Sequence, residues 1–133
     1  MRIVPIRVAP RADDAPLVEF TCGIGTGFGR WRNSTPPERG AAYDVELDVN
    51  EFDTLDPAES AGASMSHDER TNRIVGLIES IDDDGMLFVR LSIGCLMLVE
   101  TPAREQLRSG QWIRILVPVE RFSIWPFGWP PGS

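Results

Sequence analysis

The stretch from Arg73 to Glu100 constrains the fold more than any other part of this 133-residue chain. Two apolar runs rich in β-branched residues flank Asp82-Asp83-Asp84-Gly85, and an Asp-Gly pair between such runs is a strong signal for a β-hairpin. In the second run every other residue from Leu87 to Ile93 is aliphatic, which predicts a strand with one buried face. Gly94 then interrupts the alternation, as glycines do at bulges and bends. We therefore predict a hairpin whose second strand is long and bends midway.

Two further segments carry clear strand signals. From Tyr43 to Val49 apolar residues alternate strictly with acidic ones, which is typical of a strand with one face in the core and one in water. From Leu17 to Arg30 the glycines at positions 23, 25, 27 and 29 leave one side of a strand without side chains. Such a strand can bend strongly and lets another backbone or a bulky ring approach closely. Residues 3–8 give a weaker strand signal around Pro5, and residues 111–122 form the last predicted strand.

Five strong strands and one weak strand, without long helices between them, predict antiparallel pairing. We predict one all-β domain over residues 1–133, a small closed or partly open barrel of five or six strands that is OB-like or SH3-like. At most one short helix is expected, and residues 102–108 are one candidate for it. The polar segment 53–72 is predicted to be a loop that is either mobile or holds a short helix near residues 57–63, and residues 123–133 form a tail rich in tryptophan and proline.

The charge of the chain limits its partners. The formal net charge is −7 and the pI is about 4.6, which disfavours non-specific binding to nucleic acid or anionic lipid and favours a basic partner. Pro5 and Arg7 interrupt the apolar residues of the N-terminus, so it does not resemble a secretory signal, and no apolar run is long enough to span a bilayer. These observations predict a cytoplasmic protein.

The residue types that catalysis usually needs are scarce. The glycines do not match the dinucleotide fingerprint, and a P-loop is excluded because the chain has no lysine. His67 is the only histidine, and side chains adjacent to it in sequence cannot converge as a catalytic triad does. It lies in the segment predicted to be a loop, where a histidine is normally solvated. Cys22 and Cys95 are expected to be buried thiols, with a disulfide between them as the alternative. We predict no catalytic residue, no cofactor and no metal.

The remaining candidates are acidic and aromatic residues. Asp44, Glu46 and Asp48 share one side of a predicted strand, about 7 Å apart at a rise of about 3.4 Å per residue. That spacing could suit inverting glycoside hydrolysis, but a solvent-facing sheet surface explains it more simply. Trp31, Trp125 and Trp129 are the tryptophans that we consider as binding anchors.

The leading hypothesis is a non-enzymatic bacterial protein-binding module, of the kind represented by immunity proteins and inhibitors. Its acidic sheet face would meet a basic protein, since charge complementarity speeds association and excludes wrong partners. One alternative is a single-stranded nucleic-acid-binding protein that uses Trp31 with Arg30 and Arg32. Another is an accessory subunit of a larger assembly. No motif identifies a family.

Overall fold

The computed structural model describes residues 1–11, 15–101 and 106–127, and this part of the chain is all-β. The strands are β1 (Arg2–Ala9), β2 (Leu17–Cys22), β3 (Gly25–Trp31), β4 (Tyr43–Val49), β5 (Thr54–Pro57), β6 (Ser64–His67), β7 (Thr71–Ile81), β8 (Met86–Ser92), β9 (Cys95–Glu100), β10 (Trp112–Pro118) and β11 (Phe122–Pro126). A short 3-10 helix, Val119–Arg121, connects β10 to β11. The helix predicted at residues 102–108 lies mostly outside the described residues.

The strands close into a barrel that is larger than the sequence predicts. Backbone ladders link β1, β2, β3, β6, β7, β8, β9 and β4 in a ring that returns to β1, which makes a closed barrel of eight strands. Three further strands extend it: β10 pairs with β7, β5 pairs with β10, and β11 lies between β3 and β4. The barrel class is therefore confirmed, and the predicted size of five or six strands is too small.

Two segments predicted as long curved strands are hairpins. The chain turns back at Gly23-Ile24, so that Cys22 pairs with Gly25 across β2 and β3. It turns back again at Ile93-Gly94, between β8 and β9. The prediction of a bend at Gly94 is wrong because a glycine between two apolar runs permits a tight turn as readily as a bulge.

The glycines of β3 permit two close contacts. A Cβ atom at Gly27 would lie 2.5 Å from the ring of Phe20, and one at Gly29 would lie 2.6 Å from the carbonyl oxygen of Phe122. Both distances are too short for any residue with a side chain. The close approach predicted from the glycine pattern is therefore confirmed, and it allows β11 to lie directly against β3.

The segment 53–72 contains β5 and β6, so the prediction of a loop is wrong, and residues 57–63 form no helix. Each strand has four residues, and Met65 is the one fully buried residue in the two strands. Strands this short show little of the two-residue period on which the sequence interpretation depends. The mobility of this segment stays a prediction.

A buried asparagine ties β3 to β7 inside the barrel wall. Asn72 is fully buried, its Oδ1 accepts a hydrogen bond from the Phe28 amide at 2.8 Å, and its Nδ2 donates to the Phe28 carbonyl at 2.7 Å. The β3–β6 ladder consists of one residue pair, Gly25 with Met65. The side chain of Asn72 thus supplies hydrogen bonds that the backbone ladder at this position lacks.

Candidate functional site

The acidic stripe lies on the outer surface of the barrel wall. In β4 the residues Tyr43, Val45, Leu47 and Val49 are buried, and the residues between them face outward. Asp44 and Glu46 are exposed, whereas Asp48 is partly buried. The three carboxylates therefore share one face, as predicted, but they do not share one environment.

Asp44 is already paired within the chain. Arg2 donates hydrogen bonds to its two carboxylate oxygens, at 3.2 and 3.3 Å. These hydrogen bonds and the charge of Arg2 lower the pKa of Asp44. Because the pair is exposed on both sides, it holds the N-terminus beside β4 without contributing much to stability.

Asp48 belongs to a small cluster with Trp125. The indole Nε1 of Trp125 donates a hydrogen bond to Asp48 Oδ2 at 3.0 Å, and the Arg32 guanidinium lies 5.9 Å from the indole centre. Arg32 Nε also donates to the Ser123 hydroxyl at 3.1 Å. Burial raises the pKa of Asp48, and the hydrogen bond from Trp125 opposes this shift. The contact fixes the orientation of the indole, which remains 46% exposed.

Glu46 is the carboxylate of the stripe that remains available. It is exposed and has no ion pair within the described residues. Its neighbour across the β4–β11 ladder is Trp125, and the parallel pairing of β4 with β9 sets it level with Leu96. Glu46 therefore lies between an aromatic and an aliphatic side chain on an open surface.

Apolar side chains continue this surface across β8 and β9. Phe88 pairs with Leu98, and Leu98 pairs with Asp48, so one row runs from β8 to β4. Phe88, Leu96 and Leu98 all face outward and are partly exposed. We call the combined surface the acidic–apolar face, and it comprises Glu46, Asp48, Phe88, Leu96, Leu98 and Trp125.

Two strongly exposed apolar residues stand at one end of the acidic–apolar face. Ile93 is 99% exposed and Phe127 is 59% exposed, and both line a shallow depression of about 280 Å³ together with Glu46 and Leu96. Arg90 Nη1 donates hydrogen bonds to the carbonyls of Ser92 and Ile93, at 3.2 and 2.8 Å. The turn that presents Ile93 is thus held by the chain itself.

The sequence analysis missed the apolar half of this face. The signal was available: Leu87 to Leu91 and Cys95 to Val99 are apolar at nearly every position, which in an antiparallel sheet means apolar side chains on both surfaces. Ile93 was assigned to the buried side of a strand, and this is wrong because the residue lies in the turn between β8 and β9.

The prediction of Trp31 as a surface anchor is also wrong. Trp31 is completely buried, its Nε1 donates a hydrogen bond to the Thr35 carbonyl at 2.9 Å, and its ring meets Tyr43 edge to face with centroids 5.1 Å apart. It can therefore neither anchor a partner nor stack on a base. Trp129 lies outside the described residues.

His67 is not solvated, contrary to the prediction. Its side chain is 6% exposed, and its Nε2 lies 2.9 Å from a carboxylate oxygen of Glu19. Its Nδ1 lies 2.8 Å from the carbonyl oxygen of Asp68. Across residues 1–11, 15–101 and 106–127, no group of three or more histidine, cysteine or acidic side chains is arranged to hold a metal ion. Cys22 and Cys95 are free thiols, and burial raises the pKa of both.

Comparisons with family models, curated proteins and solved structures find no match for this chain. No helix in the described part of the chain is long and apolar enough to cross a membrane.

Proposed function

We propose that this protein is a non-enzymatic binding module that docks a basic protein on the acidic–apolar face. The observation that carries the proposal is the position of Glu46, an exposed carboxylate without an ion pair in the described chain, beside Trp125 and Leu96. Interfaces of protein complexes commonly combine a partly apolar centre that includes aromatic residues with a polar rim. Here the centre is supplied by Phe88, Leu96 and Leu98.

The exposed residues at the end of this face support the same function. A fully exposed isoleucine beside a largely exposed phenylalanine forms an apolar area of the kind that marks protein interaction sites. Because Arg90 holds the turn that carries Ile93, little conformational entropy is lost when a partner covers it. Trp125 is similarly pre-oriented by its hydrogen bond to Asp48.

The charge of the partner follows from the charges on and around the face. Glu46 and Asp48 lie within it and Glu100 lies at its edge, since Glu100 faces outward at the end of β9. Arg90, which pairs with Leu96, is bound to both carboxylate oxygens of Glu79, at 2.7 and 2.9 Å. Arg32 is the cation beside Trp125, and its Nε is bound to the Ser123 hydroxyl. A basic protein complements this surface, and the most specific form of the proposal is an inhibitor or immunity-type protein that neutralises a cationic toxin or nuclease in bacteria.

Nucleic acid is a weaker candidate than a basic protein. The proposed stacking residue Trp31 is buried, and the overall charge repels phosphates. Catalysis by the acidic stripe is also disfavoured, because Asp44 is paired with Arg2 and Asp48 with Trp125.

The first experiment is affinity capture from nuclease-treated lysate of the source cells at low and high salt. Bound proteins are identified by mass spectrometry, and the purified candidate is titrated with the wild type and three variants. Glu46→Arg and Ile93→Ser should each weaken binding about tenfold or more, and the loss from Glu46→Arg should shrink as salt rises. Asp53→Arg makes the same charge change before β5, outside the face, and serves as the control.

Unfolding by urea should show that Ile93→Ser changes stability by no more than about 0.5 kcal/mol, because Ile93 is fully exposed. A partner whose affinity is reduced equally by Asp53→Arg and Glu46→Arg would respond to net charge alone, and the face would then be the wrong surface. Capture of no basic protein at either salt concentration would also contradict the proposal.

A further inference from the structure

A second surface, distant in sheet order from β4, brings two basic side chains together. On the outer side of β6, β7 and β10 there is a cavity of about 260 Å³, partly covered by the connection between β5 and β6. Two arginines, Arg73 and Arg114, form part of its wall together with the hydroxyl groups of Ser60, Ser64 and Ser66. We call this cavity the arginine pocket.

The strand register explains why these side chains meet. Arg73 pairs with Ser66 across β6 and β7, and Val75 pairs with Ser64 on the same ladder. On the other edge of β7, Val75 pairs with Arg114. Arg73 and Arg114 therefore occupy diagonal positions on adjacent strands and face the same side, which brings their long side chains within reach of one ligand.

The guanidinium groups of Arg73 and Arg114 have N–H donors that are available to a ligand. Arg73 is exposed, and its side chain makes no hydrogen bond or ion pair with the described residues. Arg114 has one carboxylate neighbour, Asp56, at 3.6 Å, which is longer than a hydrogen bond. In contrast, Arg90 is bound to both oxygens of Glu79. Within the described chain Arg73 therefore has no carboxylate partner, and Arg114 has only the long ion pair with Asp56.

We infer that the arginine pocket binds a phosphate group, supplied either by inorganic phosphate or by a small phosphate monoester. A planar guanidinium matches a phosphate with two parallel N–H donors, and serine hydroxyls donate to its remaining oxygens. Glu59 in the wall and Asp56 beside Arg114 are opposing charges that limit the affinity. The negative charges elsewhere on the protein are attenuated at the pocket, since the screening length is about 8 Å at physiological ionic strength.

A neighbouring depression has room for an organic group attached to the phosphate. It shares Ser66 and Arg73 with the arginine pocket and continues along Thr71 and Leu116. A phosphate held by Arg73 would therefore place its ester substituent beside the Leu116 side chain. The arginine pocket alone is small for an organic ligand, and the two depressions together match the size of small-molecule sites.

The test is a pair of NMR titrations of the ¹⁵N-labelled full chain, one with inorganic phosphate and one with phenyl phosphate. We expect saturable shifts of the amide signals of Ser64, Ser66 and Arg73. Arg73→Gln and Arg114→Gln should each raise Kd about tenfold, because each removes charge-assisted hydrogen bonds. Glu59→Gln should lower Kd several-fold. Arg39→Gln, which removes the same charge from an exposed loop, should leave Kd unchanged within a factor of two.

The two titrations also identify the source of the phosphate group. Tighter binding of phenyl phosphate, with additional shifts at Thr71 and Leu116, would establish a monoester, and equal Kd values would establish recognition of the phosphate alone. The inference is wrong if the pocket amides do not shift in either titration. It is equally wrong if Arg39→Gln weakens binding as much as Arg73→Gln does. Neither readout involves a protein partner, so failure here leaves the proposed docking function intact.

Discussion

Two phenylalanines on the outside of the barrel, Phe28 and Phe88, have opposite surroundings. Phe28 faces away from the core on β3, yet it is 2% exposed because the Arg7 guanidinium lies 4.8 Å from its ring centre and the His67 ring lies 5.5 Å away. Phe88 faces outward on β8 and is partly exposed, and within the described residues it has no such ring or guanidinium contact. The chain has side chains that cover the outward phenylalanine of β3, whereas the described residues leave Phe88 on β8 partly exposed.

The charged residues around Phe28 and those on the acidic–apolar face differ in the same way. Arg7 and Glu19 form an ion pair over Phe28, Glu69 completes the partners of Arg7, and His67 contacts Glu19. We call these four residues the Phe28 cover. On the acidic–apolar face, by contrast, Glu46 has no ion pair in the described chain. A charge that is paired within the chain is not free to meet a partner, whereas a charge left open near apolar surface is available to one.

The largest difference between the two regions is expected from alanine substitutions of the two phenylalanines. Phe28→Ala should lower the free energy of unfolding by about 3–5 kcal/mol, because it empties a fully enclosed site. Phe88→Ala should lower it by less, about 1–2 kcal/mol, since part of that ring is in water before the substitution. Urea unfolding monitored by circular dichroism measures both values. Equal losses would remove the distinction between a covered and an open phenylalanine.

A smaller difference is expected from the two glutamates. Glu19→Gln removes a carboxylate that contacts both Arg7 and His67 and should cost about 1–2 kcal/mol, since hydrogen bonds to charged groups are stronger than neutral ones. Glu46→Gln should change stability by no more than about 0.5 kcal/mol. The same unfolding assay applies, and a clear loss with Glu46→Gln would mean that Glu46 has a structural partner.

The smallest effect concerns the pH dependence of the two aspartates on β4. The pKa of Asp44 is lowered by Arg2, so its contribution to stability is present at neutral pH and is lost as the pH falls through its pKa in the folded protein. The pKa of Asp48 is raised by burial, so its ionised form destabilises the fold and this cost disappears as the pH falls through its folded-state pKa. The two contributions have opposite signs.

Carboxyl-carbon NMR titration separates these two groups directly. Asp44 should titrate below the ordinary range of aspartate and Asp48 above it. Arg2→Gln should return the pKa of Asp44 towards its ordinary value and leave Asp48 unchanged. Trp125→Phe should raise the pKa of Asp48 further, because it removes the hydrogen bond to the ionised form. Identical titration of the two aspartates would contradict the geometry of the acidic–apolar face.

The structural features that depend on residues close together in sequence were predicted correctly. The hairpin at Asp82–Gly85 is present, with Asp82 Oδ1 accepting hydrogen bonds from the amides of Asp84 and Met86, both at 2.9 Å. Gly85 has a φ of +86°, a conformation that favours glycine. The alternation from Tyr43 to Val49 placed Asp44, Glu46 and Asp48 on the outer face. In these segments the residues that determine the structure are neighbours in sequence.

The predictions that are wrong concern segments whose local sequence is compatible with more than one structure. Gly23 and Gly94 fit a bend and a turn equally well, and the pairing partners of each strand decide between them. Trp31 lies next to polar residues in sequence, and only the packing of Tyr43 against it shows that it belongs to the core. The cover over Phe28 joins residues from β1, β2 and β6, so no window of sequence contains it. The apolar half of the acidic–apolar face depends likewise on the pairing of β8, β9 and β4.

The position of β11 between β3 and β4 has a consequence for synthesis on the ribosome. Since β3 is made early and β11 late, about 90 residues must be added between Trp31 and Phe122 before this edge of β3 gains its main partner. In that interval the backbone groups of Arg30 and Trp31 on this edge lack the strand partner that β11 provides. This edge of β3 is therefore completed only when nearly all of the described chain has been synthesised.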